Sequence, residues 1–578
     1  MSRRILRAIG NLKPWKPTKS LPSYSEPTPE TSRTLTREEE AEIALKNTAF
    51  GPGAVTLLIA LFLGTIVVVP VLQTLAEMRG WDGSGLSIGN IFKVLPTIEK
   101  LRALRTITDV WSLLPRAAEL KSVEKAIENE SIVSRWLLPA VQSLLIGRLG
   151  AGNEQAYVGR DGWLFYRPDV DYVTGPPFLD PVQQTRRAHS SNVAPDSVAA
   201  IVQFRDQLAA RGIDLVILPA PAKPSVDGEK LTARIAQNRL LQNASFDEWR
   251  TRLTNAGVRF FDPAPLLMAR KSAAPLYLQT DTHWRPETMQ YVAAQLAASL
   301  NITPGPNSAP LRMTAAQVEA VGDIARMLKL PATQTLYPPE KTTIQQVAKG
   351  RGAWRSSPDA DVLLLGDSFA NIFSLKGLGW GESAGFAEHL SAALGGRPLD
   401  CILRNSDGAF ATREMLANEL ARGRDRLAGK KLVIWEFAAR EVAFGNWKLL
   451  EMKLGQPAPS RFFTIPPGQN VEATGTIAAI SSPPRPGTVP YSDHVVAAHL
   501  VDLQLNGAET GEALQALVYL SSMHDNVWTP AARLQPGDRV TLKLRAWSDV
   551  AAQYEAINRS ELDAPELQLE EPVWGELK

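Results

Sequence analysis

Three short runs of apolar residues constrain the fold of this 578-residue chain more than any other feature of its sequence. A strand that is apolar at every position is buried on both faces, which is typical of a parallel sheet covered by helices on each side. Helical patterns over 197–211 and 286–300 lie before or after these runs. This alternation predicts a three-layer α/β domain over 151–455. The apolar runs are Leu215-Val-Ile-Leu218, Val362-Leu-Leu-Leu365 and Leu432-Val-Ile-Trp435.

The pattern changes at a linker near Gln456-Pro-Ala-Pro459. Beyond it, short apolar or alternating runs are separated by turns rich in proline and glycine, such as Pro483-Pro-Arg-Pro-Gly487 and Gln535-Pro-Gly-Asp538. These signals predict a small β-rich domain, either a barrel or a sandwich, over 460–578.

Near the N-terminus, 30 consecutive residues between Lys46 and Glu77 carry no charge. Their most apolar part, 54–72, has a helical length of about 28 Å, close to the roughly 30 Å hydrocarbon core of a membrane. Residues 1–46 carry nine Lys and Arg residues. Because basic residues stay on the cytoplasmic side of a span, the sequence predicts a disordered cytoplasmic tail and then a single transmembrane anchor over 47–76.

The rest of the chain is then predicted to lie across the inner membrane, in the periplasm of a bacterial-type cell. Apolar residues at helical spacing over 77–150 predict a helical stalk between the anchor and the α/β domain. Pro96 and Pro139 are expected to kink or start its helices.

Composition excludes several classes of protein. The 62 basic and 60 acidic residues give a formal net charge of +2, which is too small to draw the chain onto nucleic acid. Cys401 is the only cysteine in the sequence, which excludes an intramolecular disulfide and a cysteine-rich zinc site. The six histidines lack the close paired spacing of zinc enzymes, which argues against a histidine-built metal site. The chain is predicted to need no metal or organic cofactor.

A serine follows the second apolar run. In Asp361-Val-Leu-Leu-Leu-Gly-Asp-Ser-Phe-Ala370 the strand is predicted to end at Gly366, and Ser368 lies where a helix would begin. An exposed hydroxyl at this position can act as a nucleophile, and the unpaired N–H groups of the helix start can receive an oxyanion. The alternative is that Ser368 or Asp367 only caps the helix.

Asp281 and His283 are two residues apart, so in an extended segment they project to the same side. The carboxylate can then hold the imidazole in one tautomer while the other ring nitrogen faces a nucleophile. Such a pair taken alone is commonly structural. Together with a strand-end serine, however, it would lie at the carboxyl edge of the sheet, where active sites form.

These stretches resemble a known family, the SGNH-hydrolase-like polysaccharide O-acetyltransferases of the alginate acetylation type (AlgX/AlgJ-like). The resemblance covers roughly 150–445, about half of the chain. As in that family, the Asp-x-His segment precedes the serine segment, the reverse of the order in ordinary SGNH esterases. The family's catalytic Asp, His and Ser fall on Asp281, His283 and Ser368. The matching stretches are Gly159-Arg-Asp-Gly-Trp-Leu-Phe165, Pro219-Ala-Pro-Ala-Lys-Pro224, Thr280-Asp-Thr-His-Trp284, Gly366-Asp-Ser-Phe369 and Trp435-Glu-Phe-Ala-Ala-Arg440.

The resemblance implies a membrane-anchored periplasmic enzyme that moves acetyl groups through an acyl-serine onto hydroxyls of an exported, alginate-like polysaccharide. It also implies a membrane-bound O-acyltransferase as the acetyl source. Two alternatives stay open: a periplasmic carbohydrate acetyl esterase with the same triad, and a non-catalytic scaffold of a polysaccharide secretion complex. In one branch of the family a β-rich module binds carbohydrate, which makes 460–578 a candidate for that role. Its aromatic residues that either stack on sugar rings or fill the core are Tyr491, Trp528 and Trp547.

Three further residues are candidates for the oxyanion hole or the substrate site. Asn405 could supply a side-chain amide and Gly408 a backbone N–H, although the same stretch also has the composition of a plain turn. Lys223 follows a predicted strand end and could face the same cleft. Glu436 and Arg440 are expected to form a buried structural pair.

The predicted orientation is testable with reporter fusions. Alkaline phosphatase, which is active only in the periplasm, is expected to be active when fused after Lys578 and inactive when fused after residue 45. Only the first fusion carries the reporter across the membrane. Phosphatase activity in intact cells is the measurement, and the reverse pattern would overturn the orientation.

Overall fold

The computed structural model describes residues 51–78, 132–191, 193–271, 275–302, 308–456, 462–487, 489, 491–505, 514–562, 567 and 570–578. The chain divides into two units, Met1–Ser134 and Arg135–Lys578. The predicted tail over 1–46 and most of the predicted stalk lie outside the described residues.

In the first unit, α1 (Pro52–Met78) is a 27-residue helix that overlaps the predicted anchor over 47–76. Among the described residues we find no helix that is both long and apolar enough to cross a membrane. The transmembrane anchor over 47–76 stays a prediction.

The other helices and the strands alternate over most of the chain. The helices are α2 (Ile132–Leu149), α3 (Arg167–Thr174), α4 (Pro181–Ser191), α5 (Ser197–Ala209), α6 (Lys223–Val226), α7 (Gly228–Leu231), α8 (Phe246–Asn255), α9 (Ala264–Arg270), α10 (Pro286–Leu300), α11 (Asp323–Met327), α12 (Ser368–Asn371), α13 (Phe386–Ala393), α14 (Gly408–Ala421), α15 (Glu441–Phe444) and α16 (Trp547–Tyr554). The strands are β1 (Ala156–Val158), β2 (Leu164–Tyr166), β3 (Asp214–Ala220), β4 (Arg259–Phe260), β5 (Leu311–Ala320), β6 (Glu340–Lys349), β7 (Gly352–Ala353), β8 (Val362–Gly366), β9 (Asp400–Leu403), β10 (Leu432–Ala438), β11 (Asn470–Ile480), β12 (His494–Leu505), β13 (Ala516–His524), β14 (Val527–Trp528), β15 (Arg539–Ala546), β16 (Arg559–Ser560) and β17 (Pro572–Leu577).

Of the two effects expected of Pro139, a kink or a helix start, the structure excludes the second, because helix α2 runs through this proline. A proline inside a helix removes one backbone hydrogen bond, and here the helix continues on both sides of it.

Five parallel strands form the central sheet in the order β4-β3-β10-β8-β9. The three apolar runs of the sequence are its middle strands, β3, β10 and β8. Because successive side chains of a strand point to opposite faces, Leu215 and Ile217 join the core beneath α5, α8 and α14, whereas Val216 and Leu218 join the core beneath α10 and α13. The predicted parallel sheet with helices on both faces is confirmed.

Between α10 and β8 the chain forms a long antiparallel hairpin of β5 and β6, extended by β7, which the sequence analysis did not identify. The carboxylate of Glu340, at the start of β6, accepts hydrogen bonds from the Gln279 backbone N–H (2.8 Å) and the Arg285 guanidinium (2.6 Å). Gln279 and Arg285 flank the segment that carries Asp281 and His283. The hairpin therefore supports that segment from outside the sheet.

Beyond the linker, β11, β12, β13, β17 and β15 close into a five-stranded barrel, because β12 pairs with both β11 and β13. Alternate residues of the barrel strands point into and out of the barrel. Val496 and Val518 belong to the barrel core, whereas Val495 and Leu517 pack in the cluster that contains Trp547 of α16. The predicted β-rich region is confirmed as a barrel.

The aromatic candidates of the barrel are partly or fully used in packing. Trp547 is 8% exposed, and its ring contacts that of Tyr519 edge to face at 5.1 Å, so its ring is core and not a sugar platform. Trp528 is half-buried, and its indole N–H donates to the Pro484 carbonyl at 2.8 Å. Tyr491 is also half-buried and packs against the core of the α/β domain.

A core substitution in β8 tests the three-layer packing. Leu364 is fully buried, so Leu364→Ala is expected to lower the free energy of unfolding by about 2–5 kcal/mol, from lost burial and the cavity left behind. Leu449→Ala, at a side chain that is 60% exposed, is the control and is expected to change it by about 0.5 kcal/mol or less. Urea-induced unfolding followed by circular dichroism measures both, and equal effects would contradict this core assignment.

Candidate active site

Ser368 lies at the first residue of α12, directly after β8 and the single residue Asp367. The Asp367 carboxylate accepts the N–H of Phe369 (2.8 Å) and the N–H of Ala438 (2.7 Å), so Asp367 caps the helix and ties it to the end of β10. At Gly366 a β-carbon would lie 2.8 Å from that of Ala370, which explains why this turn requires glycine. With capping done by Asp367, the half-buried Ser368 hydroxyl faces His283.

The Asp281–His283 segment forms a tight turn beside Ser368. Nε2 of His283 lies 2.8 Å from the Ser368 Oγ, and Nδ1 lies 2.7 Å from an oxygen of Asp281. Since a carboxylate only accepts, Nδ1 carries the proton and Nε2 is the acceptor that faces the serine hydroxyl. The structure thus brings together the three residues of the predicted triad in one hydrogen-bonded line.

The Asp281 carboxylate has no exposed surface and is satisfied by N–H groups from separate parts of the chain. Besides the His283 ring, it accepts the His283 backbone N–H (3.0 Å), the Trp380 indole N–H (2.8 Å) and the Asp323 backbone N–H (2.9 Å). Burial alone would raise the pKa of Asp281, but His283 and these hydrogen bonds lower it below its ordinary value. Asp281 is therefore a buried, ionised orienting group.

Asp323 is a second carboxylate at the site, and the sequence analysis missed it. Its oxygens accept the Thr282 N–H at 2.7 Å and lie 3.9 Å from Nδ1 of His283. Burial, and then the charge of Asp281, raise the pKa of Asp323. Asp323 starts α11, some 40 residues beyond the triad segment and after a hairpin strand, so no local sequence signal points to it.

The charged groups around His283 raise its pKa above that of a free imidazole. Burial would lower the pKa of His283, but the hydrogen bond and charge of Asp281, with the charges of Asp323 and Asp367, raise it overall. Such a histidine is a stronger base, and its imidazolium form is stabilised.

A cavity of about 150 Å³ opens over Ser368 at the carboxyl edge of the sheet. Besides the triad segments, its wall includes the end of β2, α11, the loop that joins β9 to α14, and the start of α15. The lining residues besides His283 and Ser368 include Tyr166, Asp323, Asn405, Gly408, Arg440 and Glu441.

Comparison with known proteins now identifies the family. A family model described as an SGNH hydrolase-like domain of the acetyltransferase AlgX matches residues 156–439. A relative from Azotobacter vinelandii, named probable alginate O-acetylase AlgJ, is 30% identical over 307 residues, or 50% of this chain and 70% of the relative. The chain belongs to this AlgX/AlgJ-like family.

The chain is also similar to a second curated protein and to a solved structure. A protein of the same name from Pseudomonas fluorescens is 25% identical over 342 residues, which cover 56% of this chain and 78% of that relative. Among solved structures, the O-acetyltransferase domain of Pseudomonas putida AlgJ aligns at 21% identity and a TM-score of 0.38, over 50% of this chain and 93% of that one.

The other predicted site residues of this family member differ in whether they can contribute to the site. Gly408 lines the cavity, and its φ of 72° is in the left-handed region. Asn405 also lines the cavity, but its side-chain amide donates to the Ala556 carbonyl (2.9 Å) and to the Asn558 side chain (3.2 Å). Both amide protons are thus used, so the prediction that Asn405 offers this amide to an oxyanion is wrong.

Lys223 does not face the cavity, contrary to the prediction. It is fully buried at the start of α6, and its ammonium donates to the backbone carbonyls of Leu164 (2.7 Å), Gln279 (2.9 Å) and Asp281 (2.9 Å). Burial lowers its pKa to about 8. Because its ammonium is bound by three backbone carbonyls, Lys223 anchors the Asp281 segment instead of lining the cavity.

Glu436 and Arg440 do not pair with each other, which corrects a second expectation. Arg440 donates to the buried Asp169 at 3.0 Å. Glu436, on β10, accepts the Asp367 backbone N–H at 3.1 Å, and burial followed by the charge of Asp367 raises the pKa of Glu436 well above its ordinary range. A buried carboxyl with a raised pKa therefore lies directly behind the serine turn.

Two groups of described side chains have donor atoms close enough for a metal ion. In the first, atoms of Asp281, His283 and Asp323 lie within 4.8 Å of one another, but the Asp281 oxygens and His283 Nδ1 are already engaged in hydrogen bonds. The second group lies in the barrel and consists of Asp493, His524 and Asp525.

The raised pKa of His283 is directly measurable. Removing the carboxylate charge in Asp281→Asn is expected to move the imidazole titration to lower pH, because the interaction that favours the charged ring is lost. Nitrogen-15 NMR of histidine-labelled protein reports each ring. Asp525→Asn, at an exposed carboxylate of the barrel, is the control and should leave the His283 titration in place. An unchanged titration in Asp281→Asn would contradict this electrostatic account.

Proposed function

We propose that this protein is an O-acetyltransferase that carries an acetyl group on Ser368 and passes it to a hydroxyl of a polysaccharide. The observation that carries the proposal is the line of hydrogen bonds from Asp281 through His283 to Ser368 at the floor of a cavity. Membership of the AlgX/AlgJ-like family gives the transferred group its identity.

In the first half-reaction the Ser368 oxygen attacks the carbonyl carbon of an acetyl donor while Nε2 of His283 takes the hydroxyl proton. The tetrahedral intermediate collapses, the bond to the donor's leaving group breaks, and the imidazolium returns the proton to that group. Asp281 keeps the imidazole in the tautomer that accepts at Nε2 and stabilises the imidazolium between the two steps.

In the second half-reaction a sugar hydroxyl gives its proton to Nε2 of His283 and attacks the acetyl carbonyl of acyl-Ser368. The ester bond to Ser368 breaks, and the imidazolium protonates the serine oxygen. The acetylated sugar leaves and the enzyme is restored, with no net change in protons or electrons.

The developing oxyanion needs hydrogen-bond donors in both half-reactions. Among the described residues, the backbone N–H groups of Ser368 and Gly408 have no acceptor, and both residues line the cavity. We assign these two groups as the oxyanion donors. An individual donor of this kind typically contributes about 10²–10³-fold to kcat.

The proposed acceptor is an exported polysaccharide of the alginate type, since relatives are named alginate O-acetylases. The proposed acetyl source is a membrane-bound O-acyltransferase, and the proposed location is the periplasmic side of the inner membrane. The uncharged stretch over 47–76 supports that location. An acetyl esterase with the same triad is the second candidate, because water can replace the sugar in the second half-reaction.

Substitution of the serine tests the proposed chemistry. Ser368→Ala removes the attacking oxygen, so turnover of an activated acetyl ester is expected to fall on the order of 10⁴-fold or more. Intact-protein mass spectrometry after brief exposure to the ester should detect one added acetyl group in the parent chain and none in the variant. Ser299→Ala, on the outer helix α10, is the control.

A double variant tests whether the triad acts as one unit. Adding His283→Ala to Ser368→Ala should cause little further loss of turnover, because the effects of residues that act as one unit are not additive.

Acetyl transfer to or from alginate decides between the two candidates. A gain of acetyl groups on alginate supports a transferase, and their loss from acetylated alginate supports an esterase. Full acetylation in a Ser368→Ala strain would contradict both and restore the scaffold alternative.

A further inference from the structure

The C-terminal barrel reaches the wall of the candidate active site through one short segment. After α16 the chain passes through Ala556 and Asn558 before it enters β16. The Asn558 carbonyl accepts the Val495 N–H of β12 at 3.0 Å, and β16 then pairs in parallel with β12. Asn558 is thus held firmly by the barrel while its side chain points to the α/β domain.

The Asn558 side chain makes a reciprocal pair of hydrogen bonds with Asn405. Its amide donates to the Asn405 backbone carbonyl at 2.6 Å, and its oxygen accepts the Asn405 side-chain amide at 3.2 Å. Both residues are buried, so neither bond competes with bulk water. A backbone carbonyl can only accept, which fixes the orientation of the Asn558 amide.

The same barrel segment also connects to the helix of Ser368. The Ala556 carbonyl accepts the Asn405 side-chain amide at 2.9 Å and lies 3.5 Å from that of Asn371. Asn371 is the last residue of α12, and its amide donates to the Asn405 side-chain oxygen at 3.1 Å. Asn405 is therefore bound on one side by the serine helix and on the other by the barrel.

The loop held by this cluster has an unusual backbone. Ser406 has a φ of 65° and Gly408 one of 72°, and a β-carbon at Gly408 would lie 2.6 Å from the Glu441 carboxylate. A non-glycine residue at positive φ is strained and persists only where surrounding contacts hold it. Asn405, the residue directly before this stretch, receives those contacts from Asn558 and Ala556.

We propose that Asn558 is a positioning residue of the active site, by which the C-terminal barrel sets the place of the Gly408 N–H relative to Ser368. The inference rests on the proposed function, because it assigns that N–H to the oxyanion. A donor displaced by about 1 Å loses most of its effect on the transition state, since its geometry must fit the oxyanion. The barrel is then a part of the catalytic apparatus and not only a module that holds polymer.

The test is Asn558→Ala in the full chain, with an activated acetyl ester as substrate. We expect kcat to fall about 100-fold with KM within about threefold of the parent, because the oxyanion exists only after substrate has bound. Glu555→Gln is the matched control. It lies in the same segment and interface and pairs with Arg426 at 3.4 Å, and Arg426 keeps its partner Asp400. We expect this variant to have kcat within about threefold of the parent.

Hydrogen–deuterium exchange gives a readout that does not depend on activity. Exchange over 403–410 should increase in Asn558→Ala and not in Glu555→Gln. If Asn558→Ala does not fold, Asn558→Asp keeps the size and the acceptor but loses the donor to Asn405, and the same two expectations apply to it. Equal kcat in the Asn558 and Glu555 variants, or unchanged exchange over 403–410, would overturn the inference. Absence of Ser368-dependent turnover in the parent would refute the proposed function instead, and the exchange result would still decide the positioning role.

Discussion

The buried carboxylate of Asp281 is the interaction on which the rest of the candidate site depends. A carboxylate removed from water carries a penalty of several kcal/mol unless hydrogen bonds and opposite charge compensate it. Here the compensating N–H groups come from His283 in the same turn, from the start of α11 at Asp323, and from Trp380 beyond the serine helix. These elements must meet around one side chain, so the position of the imidazole is set by the packing of the whole α/β domain.

A buried cation on the opposite side of the same turn completes this arrangement. The Lys223 ammonium binds the backbone carbonyl of Asp281, while the Asp281 carboxylate binds N–H groups on the side of the cavity. The backbone between them is held from two directions, which limits the rotation of the His283 ring. The serine turn has a comparable support in Asp367 and the buried Glu436, both of which connect it to β10. Each reacting group is therefore held by polar contacts to other elements of the α/β domain.

Sequence reasoning recovers those parts of the molecule whose signal is local. The strands are readable because Val362–Gly366 and its neighbours are apolar on both faces, and Ser368 is readable because it follows such a strand. Asp281 and His283 are only two residues apart in the chain. By contrast, Asp323 and Trp380 reach the site only through tertiary folding, and the hairpin β5–β6 that delivers Asp323 has no distinctive pattern. The position of Lys223 after a strand end makes it a candidate for the cleft, because ligand-binding groups commonly lie at strand ends. Three carbonyls that no sequence pattern reveals turn it inward instead.

The barrel illustrates a different limit of sequence reasoning. A proline-containing linker and an independent strand pattern are typical of a separable domain, and the closed barrel with its own core agrees with that interpretation. Yet the surface that contacts the α/β domain contains buried asparagines and the Arg426–Glu555 ion pair, not a loose polar contact. Buried amides left without partners cost about 1–3 kcal/mol each, so separation of the two parts is opposed by the same groups that hold the loop over 405–408. A domain with its own core can thus still be needed for the function of its neighbour. The residues that decide this lie at the interface, and sequence periodicity does not predict their contacts.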